Sequence, residues 1–393
     1  RSASSGPPKV VEANAWLRIG TDNSITVLCD RSEMGQGVYT ALPTLIAEEL
    51  DVPPERIKVE FAPPGDAYIN SLLGGQVTGG STSVRDAWDK LRMAAAEART
   101  RLILAAAKEW GAPPSACSVV DGHVVFTSRR LPFGDLVEAA AALPKPENIA
   151  PKPRDKYRFI GKPQKRLDTP SKVDGTAQFG IDVRLPDMLY AALAQPPELG
   201  ATVRSFKADK AQGMPGVRHV LQTSSGVAVI ADSWWQAKQA RDALEIQWAP
   251  GPNARLSNST IYARLRSAAR NNGKEVRNDG NADAALRSAA RRLEATYELP
   301  MLAHATLEPQ NCTVEFKDGA CHIYVPTQVQ QMAQMAAAKA AGLPLEQVFV
   351  HTTFLGGGFG RRLEVDFIPD AVECAKAAGK PVKLLWTRED DMT

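Results

Sequence analysis

No apolar stretch in this sequence approaches the ~20 residues that a membrane-spanning helix needs. The best run, Leu102 to Ala107, is broken by Lys108 and Glu109. An excess of one charge is lacking too: 47 Lys and Arg face 44 Asp and Glu, and no basic run is interleaved with aromatics, so nothing suggests nucleic acid. Cysteine is sparse. Cys29, Cys117, Cys312, Cys321 and Cys374 lie far apart, with no CxxC and no CxxCH, which excludes an iron–sulfur, haem or zinc site of the usual spacing. Their odd number leaves at least one thiol without an intrachain disulfide partner. The five histidines, His123, His219, His304, His322 and His351, form no HExxH pair, so a metal held by protein side chains is not expected. GxGxxG and the lysine-bearing phosphate loop are absent as well, which disfavours an ordinary nucleotide fold and a NAD-linked dehydrogenase.

What is present is enough apolar residue, 44% of 393, to bury more than one core. Two Pro-rich polar stretches, Leu143 to Lys156 and Ala249 to Ser259, divide the chain into three segments, 1–145, 146–252 and 253–393. The first reads as strands at Trp16–Ile19 and Ser24–Leu28, a helix near Thr40–Leu50 that tolerates Pro43 if it begins at Thr40, and a strand at Ile57–Phe61. Its strongest helix runs from about Val84 to Trp110. There Val84, Trp88, Leu91, Ala95, Ala98, Leu102 and Ala105 share one face, Ser83 with Asp86 boxes the start, and Gly111 ends it. The middle segment reads as a small α/β unit able to stand alone, with strands at Leu189–Leu193, Val217–Gln222, Val227–Ala231 and Leu244–Trp248. The last offers a hairpin around Asp318–Gly319, a helix from Val329 to Ala341, a strand at Val348–Thr352 and a helix after Arg361. The texture is α+β and multidomain.

Three small-residue clusters precede predicted helices: Glu33-Met34-Gly35-Gln36-Gly37, Gly79-Gly80-Ser81-Thr82-Ser83 and Gly356-Gly357-Gly358-Phe359-Gly360. Each is either a tight turn or a loop whose N–H groups, unobstructed by a Cβ, face an anion at a helix N-terminus. Thr327-Gln328 follows a strand and precedes a helix. It is either a helix cap with a first-turn surface residue, or a side-chain amide offering a neutral donor. His304 and Glu308 form either an acid–base pair or a structural one.

Together these motifs resemble the molybdopterin-binding large subunit of the xanthine dehydrogenase and aldehyde oxidase family, most of all its isoquinoline 1-oxidoreductase β-subunit-like branch. SEMGQGVYTALPTLIAEEL resembles that branch's first glycine motif, the TQxxQ run at Thr327 to Gln331 the segment before the molybdenum, and GGGFG the loop beside it. GQG precedes GGGFG, the permuted order of that branch. The stretch from GKPQKRLDTPSKVDGTAQFGIDV resembles the family's small hammerhead domain. The fold thus implied is a pair of molybdopterin-binding portions flanking a small hammerhead-like α/β domain.

The resemblance implies that Gly35, Gln36, Gly37, Gly79, Gly80, Ser81, Thr82 and Ser83 hold a molybdopterin, in its cytosine dinucleotide form. Gly358, Phe359, Gly360 and Arg361 would line the molybdenum, with Gln328 donating to an oxygen on it and Phe359 beside the reaction. The metal is held by the pterin dithiolene. The implied reaction is water-derived hydroxylation of an aldehyde or N-heteroaromatic carbon, with a glutamate of a Gly-x-Gly-Glu motif as base. No Gly-x-Gly-Glu occurs in these residues, so the base is expected from the remaining half of a family-length large subunit. The alternative is a non-catalytic cofactor-binding or assembly module. Electrons are expected to leave through a small two-[2Fe-2S] subunit and a cytochrome c. The start at Arg1, without an initiator methionine, fits removal of a targeting segment and a periplasmic location, with the cytoplasm as the alternative.

Overall fold

The structure, a computed structural model, describes residues 7–392. Strands β1 (Val10–Asn14), β2 (Leu17–Gly20), β3 (Ile25–Cys29) and β4 (Ile57–Phe61) form a sheet in that order, with β3 and β4 parallel. The crossover between them is helix α1 (Val38–Leu50). Leu42, Leu45, Ile46 and Leu50 of α1 pack on Leu17, Ile25 and Val27 of the sheet, and α2 (Ser83–Trp110) closes the layer with Leu91, Ala95, Ala98 and Leu102. The face predicted for α2 is the buried one except at its N-terminal end, where Val84 is exposed and Trp88 half-buried. A three-stranded sheet of β5 (Ser118–Val120), β6 (His123–Phe126) and β7 (Arg129–Pro132), followed by α3 (Phe133–Ala141), completes the first segment.

Two local expectations are corrected. Helix α1 starts at Val38, not Thr40, because Gly37 takes the left-handed conformation at its N-cap. Pro43 therefore sits inside the helix, where it donates nothing to the Tyr39 carbonyl. The Ser83–Asp86 box does not form: the N-cap of α2 is Thr82, without a side-chain cap. Asp86 instead receives the amide and hydroxyl of Ser71 (2.8 and 2.6 Å) and pairs with Arg31 (2.6 Å) and Lys90 (2.7 Å). A buried guanidinium with a carboxylate within reach takes precedence over a helix cap worth about 1 kcal/mol.

The middle unit does not stand alone. Its strands are β8 (Leu189–Ala194), β9 (Thr202–Lys207), β10 (Val217–Gln222), β11 (Val227–Ala231) and β12 (Glu245–Ala249). Those of the last segment are β13 (Asn311–Lys317), β14 (Ala320–Val325), β15 (Val348–Thr352) and β16 (Val382–Leu385). Of the middle set, β8, β10 and β11 join all four of the last segment in one seven-stranded sheet, ordered β10-β11-β8-β16-β13-β14-β15, in which β8 pairs parallel to β16, Leu189 against Val382, while β9 and β12 pair with each other as a separate ribbon. Helices Gln330–Ala341 and Phe367–Ala378 cover one face, burying Phe367, Ile368, Val372, Ala333 and Ala337 on Val314, Ile323, Val350 and Leu384. The Pro-rich stretch after β12 is a surface loop rather than the edge of a core. Residues 253–305 beyond it carry two short helices, Asn258–Ala268 and Ala282–Ser288, with no buried residue.

A strap, residues 150–172, binds the first layer to the rest. Buried Glu48 of α1 accepts the N–H groups of Arg158, Phe159 and Ile160 (2.7–3.0 Å), while Glu49 takes Arg92 (2.9 Å), Arg99 (2.6 Å) and the Lys152 amide (2.8 Å). Two adjacent acidic residues on a helix are here interior anchors, made tolerable by this saturation.

Candidate functional site

The three small-residue clusters and Gln328 meet. A hollow of about 640 Å³ is lined by Met34, Gly35, Gln36, Gly79, Gly80, Gln328, Phe359, Gly360 and Leu363. Backbone contacts from distant parts of the chain hold its walls together: Thr78 N–H donates to the Gln328 carbonyl (2.9 Å), Leu355 N–H to that of Glu33 (3.0 Å), and the Ser32 hydroxyl to that of Thr327 (2.6 Å). Of the expected residues, Gly37, Ser81, Thr82, Ser83, Gly358 and Arg361 do not line the hollow.

The first loop is built around a carboxylate rather than open to an anion. Buried Glu33 accepts the N–H groups of Gly35 (2.8 Å), Gly37 (3.1 Å) and Tyr39 (2.9 Å). Gly35 (φ 108°) and Gly37 (φ 97°) are glycines because the chain must turn left-handed to present those amides. The Gln36 side chain closes the loop from the other side, taking the Met34 amide (2.7 Å) and donating to the Ser32 carbonyl (2.9 Å). Glu33 in turn is neutralised by Arg166 (2.9 Å), which also binds the Gly35 carbonyl (2.7 Å), and by Lys172 (3.7 Å). Burial pushes the Asp168 carboxyl up, but hydrogen bonds and charge from Arg166 and Lys172 outweigh it and hold the group at about 2. The expected donor role of Gly35 and Gly37 is thus corrected: their amides are spent, and the loop supplies a wall.

The second loop leaves its donors open. Gly79, Gly80 and Ser81 N–H groups have no acceptor among the described residues, and they stand at the N-terminus of the 28-residue α2. Thr82 is inward-tied: its hydroxyl donates to the Gly79 carbonyl (2.7 Å) and accepts from Asn70 (2.7 Å). Ser81 is a non-glycine residue in the left-handed region (φ 54°), exposed at the rim.

The third loop is held from beneath by Arg362 and Glu308. Arg362, 0% exposed, donates to the carbonyls of Gly357 (2.9 Å) and Glu308 (2.7 Å) and pairs with the Glu308 carboxylate (3.2 Å). That carboxylate also accepts the N–H groups of Gly356 (2.7 Å) and Ile181 (2.9 Å) and the Asn311 amide (2.9 Å). Glu308 is therefore structural and does not pair with His304. His304 is exposed and lies beside Gly360, its Nε2 3.7 Å from where a Cβ on that glycine would stand. Arg361 is turned to a bidentate pair with Asp366 (3.0 Å) over the Trp386 ring, which corrects its expected place on the cofactor.

Gln328, 2% exposed, is no surface residue. Its amide donates one hydrogen to the Thr78 carbonyl (2.8 Å) and its oxygen accepts the Gly360 N–H (3.2 Å), so it clamps the second loop to the third and retains a second amide hydrogen without an acceptor among the described residues. Phe359 holds φ at 53°, a strained value for a bulky residue, and its ring is 70% exposed at the hollow. Such strain with so little packing to repay it marks a position set by something other than the fold.

Sequence reasoning did not single out Arg166, Arg362, Thr78 or Leu363, and it named Glu33 only as the first residue of its cluster, without a role. Nothing local signals them: Arg166 and Glu33 are 133 positions apart, and the neighbours Arg361 and Arg362 differ only in which points inward.

Two family profiles, both described as molybdopterin cofactor-binding domain, match residues 2–183 and 266–393. The chain is 36% identical to a membrane-bound aldehyde dehydrogenase (pyrroloquinoline-quinone) of Gluconacetobacter polyoxogenes, over 97% of its own length and 51% of the relative's. It is 32% identical to the β-subunit of isoquinoline 1-oxidoreductase of Brevundimonas diminuta, over 97% and 55%. Against a nicotinate dehydrogenase subunit of Pseudomonas putida the figures are 26%, 97% and 32%. The chain therefore spans about half the length of the first two. On this footing it belongs to the molybdopterin-binding large subunits of the xanthine dehydrogenase family, in the branch of the isoquinoline 1-oxidoreductase β-subunits.

Proposed function

We propose that this chain walls the molybdopterin of a molybdenum hydroxylase that oxidises an aldehyde or N-heteroaromatic substrate and passes electrons to a small two-[2Fe-2S] subunit and from there to a cytochrome c. One observation carries the reading: loops separated by up to 325 positions, from Gly35 to Gly360, enclose one hollow and leave main-chain donors at Gly79, Gly80 and Phe359 unpaired in its lining. A group bearing phosphates and oxo ligands suits these donors, and a cytosine dinucleotide tail would extend along the N-terminus of α2, where Ser81 and Ser83 stand. When bound, the cofactor supplies the hydroxylation and takes up the two electrons.

The protein's part is positional. Gln328 offers its spare amide hydrogen as a neutral donor that needs no change of protonation. Phe359 presents an aromatic face at the rim, suited to a flat substrate. Neither carboxylate that touches the loops can serve as base, since Glu33 and Glu308 are both buried and saturated with donors. We place the proton acceptor in polypeptide corresponding to the half of the relatives that this chain does not match. That same observation favours a second reading, a non-catalytic cofactor-binding module; equimolar molybdenum with no aldehyde or heterocycle turnover, partners present, would decide for it.

In the assembled enzyme, Gln328→Ala should lower molybdenum content, since two loops lose their clamp. It should also slow reduction by substrate, per molybdenum bound, by about tenfold or more. Stopped-flow reduction normalised to metal reads the second effect, and an unchanged rate per molybdenum would remove Gln328 from the chemistry.

A further inference from the structure

Residues 293–301 read Leu-Glu-Ala-Thr-Tyr-Glu-Leu-Pro-Met, with Leu293, Ala295, Tyr297, Leu299 and Met301 alternating with polar or proline positions. This is the period of a half-buried strand. The structure gives the segment no strand partner and no buried residue: Leu293, Tyr297, Leu299 and Met301 are 75–89% exposed. From 290 to 307 no main-chain N–H finds a main-chain acceptor among the described residues. The contacts that exist are peripheral. Tyr262 donates to the Leu299 carbonyl (2.7 Å) and Arg266 pairs with Glu298 (2.6 Å), both from a helix that itself buries nothing. An apolar face of this regularity, with its backbone unpaired, is a strand waiting for a sheet.

We infer that residues 293–299 form a β-strand only when paired with polypeptide corresponding to the half of its relatives that this chain does not match, whether continuous with it or carried as a separate chain. The relatives supply the occupant: this chain covers 51% of the aldehyde dehydrogenase and 55% of the isoquinoline 1-oxidoreductase relative, so each carries about as much polypeptide again. Pro300, which cannot donate to a ladder, ends the strand. Four residues further on stands His304, beside Gly360 at the hollow, so pairing of the strand fixes one margin of the site. The inference rests on family membership and not on the cofactor reading, and its test counts no molybdenum.

All five cysteines are buried, so single cysteines introduced into the segment report against a quiet background. Glu294→Cys, Thr296→Cys, Tyr297→Cys and Leu299→Cys are labelled with a maleimide in the natively purified assembly and in the chain alone. The expected result is labelling slowed at least tenfold at positions 297 and 299 in the assembly, with 294 and 296 within about threefold of the free chain. Hydrogen exchange on the unsubstituted protein guards against a variant that disturbs docking, and should show amides of 293–299 protected in the assembly alone. Peptide sequencing should identify the covering polypeptide as one that matches the relatives' other half. Equal labelling at all four positions, unprotected amides, or a second copy of this chain as the only companion would overturn the inference.

Discussion

Arg362→Met should cost the fold about 3–5 kcal/mol, the usual penalty for removing one partner of a buried ion pair. The side chain is fully enclosed, so no water replaces it. Burial pulls its pKa down and the carboxylates of Glu308 and Asp391 oppose that, so the guanidinium is retained by its surroundings. Without it the carbonyls of Gly357 and Glu308 lose their donor, and the Glu308 carboxylate keeps a charge balanced only by neutral N–H groups. Urea unfolding of the variant measures the loss. Adding Glu308→Gln should recover part of it, because the stranded charge disappears while the amide still accepts from Gly356. A single variant as stable as the parent would show that the third loop does not depend on this pair.

Gly358→Ala should act on the ligand rather than the fold. A Cβ there would lie 2.5 Å from the Met34 sulfur and 2.7 Å from the Gln328 oxygen. Met34 is flexible and can swing aside. Gln328 is pinned at both ends by Thr78 and Gly360, so the loop must move instead and the hollow narrows. Molybdenum content after native purification should fall at least tenfold, while the stability change stays within the ~1–3 kcal/mol of an overpacked site. Wild-type metal content in a folded variant would mean that the hollow is not where the cofactor binds.

Local order was legible in the sequence where it is local in cause. Ile57–Phe61, Val217–Gln222, Val227–Ala231 and Val348–Thr352 are strands with the predicted bounds, because short β-branched-rich runs between turns define them, alternating at Ile57–Phe61 and apolar throughout at Val227–Ala231. The hairpin turns at Asp318 and Gly319, both left-handed, as the Asp-Gly pair requires. Helix α2 follows from its spacing.

Expectations failed where a distant residue intervened. Asp86 was recruited by Arg31, 55 positions away, instead of capping its own helix. Glu308 looked like a partner for His304 four residues before it, yet it serves Gly356 and Arg362, 48 and 54 positions on. The middle unit merged with the last through β8 and β16, a parallel pairing that no short-range signal announces. At the site, the glycine clusters were visible but their convergence was not. Nor was the division of labour among them visible. The first loop's amides turn to Glu33, which precedes them in the same motif, and the third loop's Gly356 and Gly360 amides turn to Glu308 and Gln328, while those of Gly79, Gly80, Ser81 and Phe359 have no acceptor among the described residues.

In the function proposed above, these loops grip one molybdopterin. Metal analysis of the natively purified protein, together with identification of the released cofactor, decides the matter. One molybdenum per chain with a pterin dinucleotide is the predicted result; a molybdenum-free protein, or one carrying a quinone in place of the pterin, would contradict it.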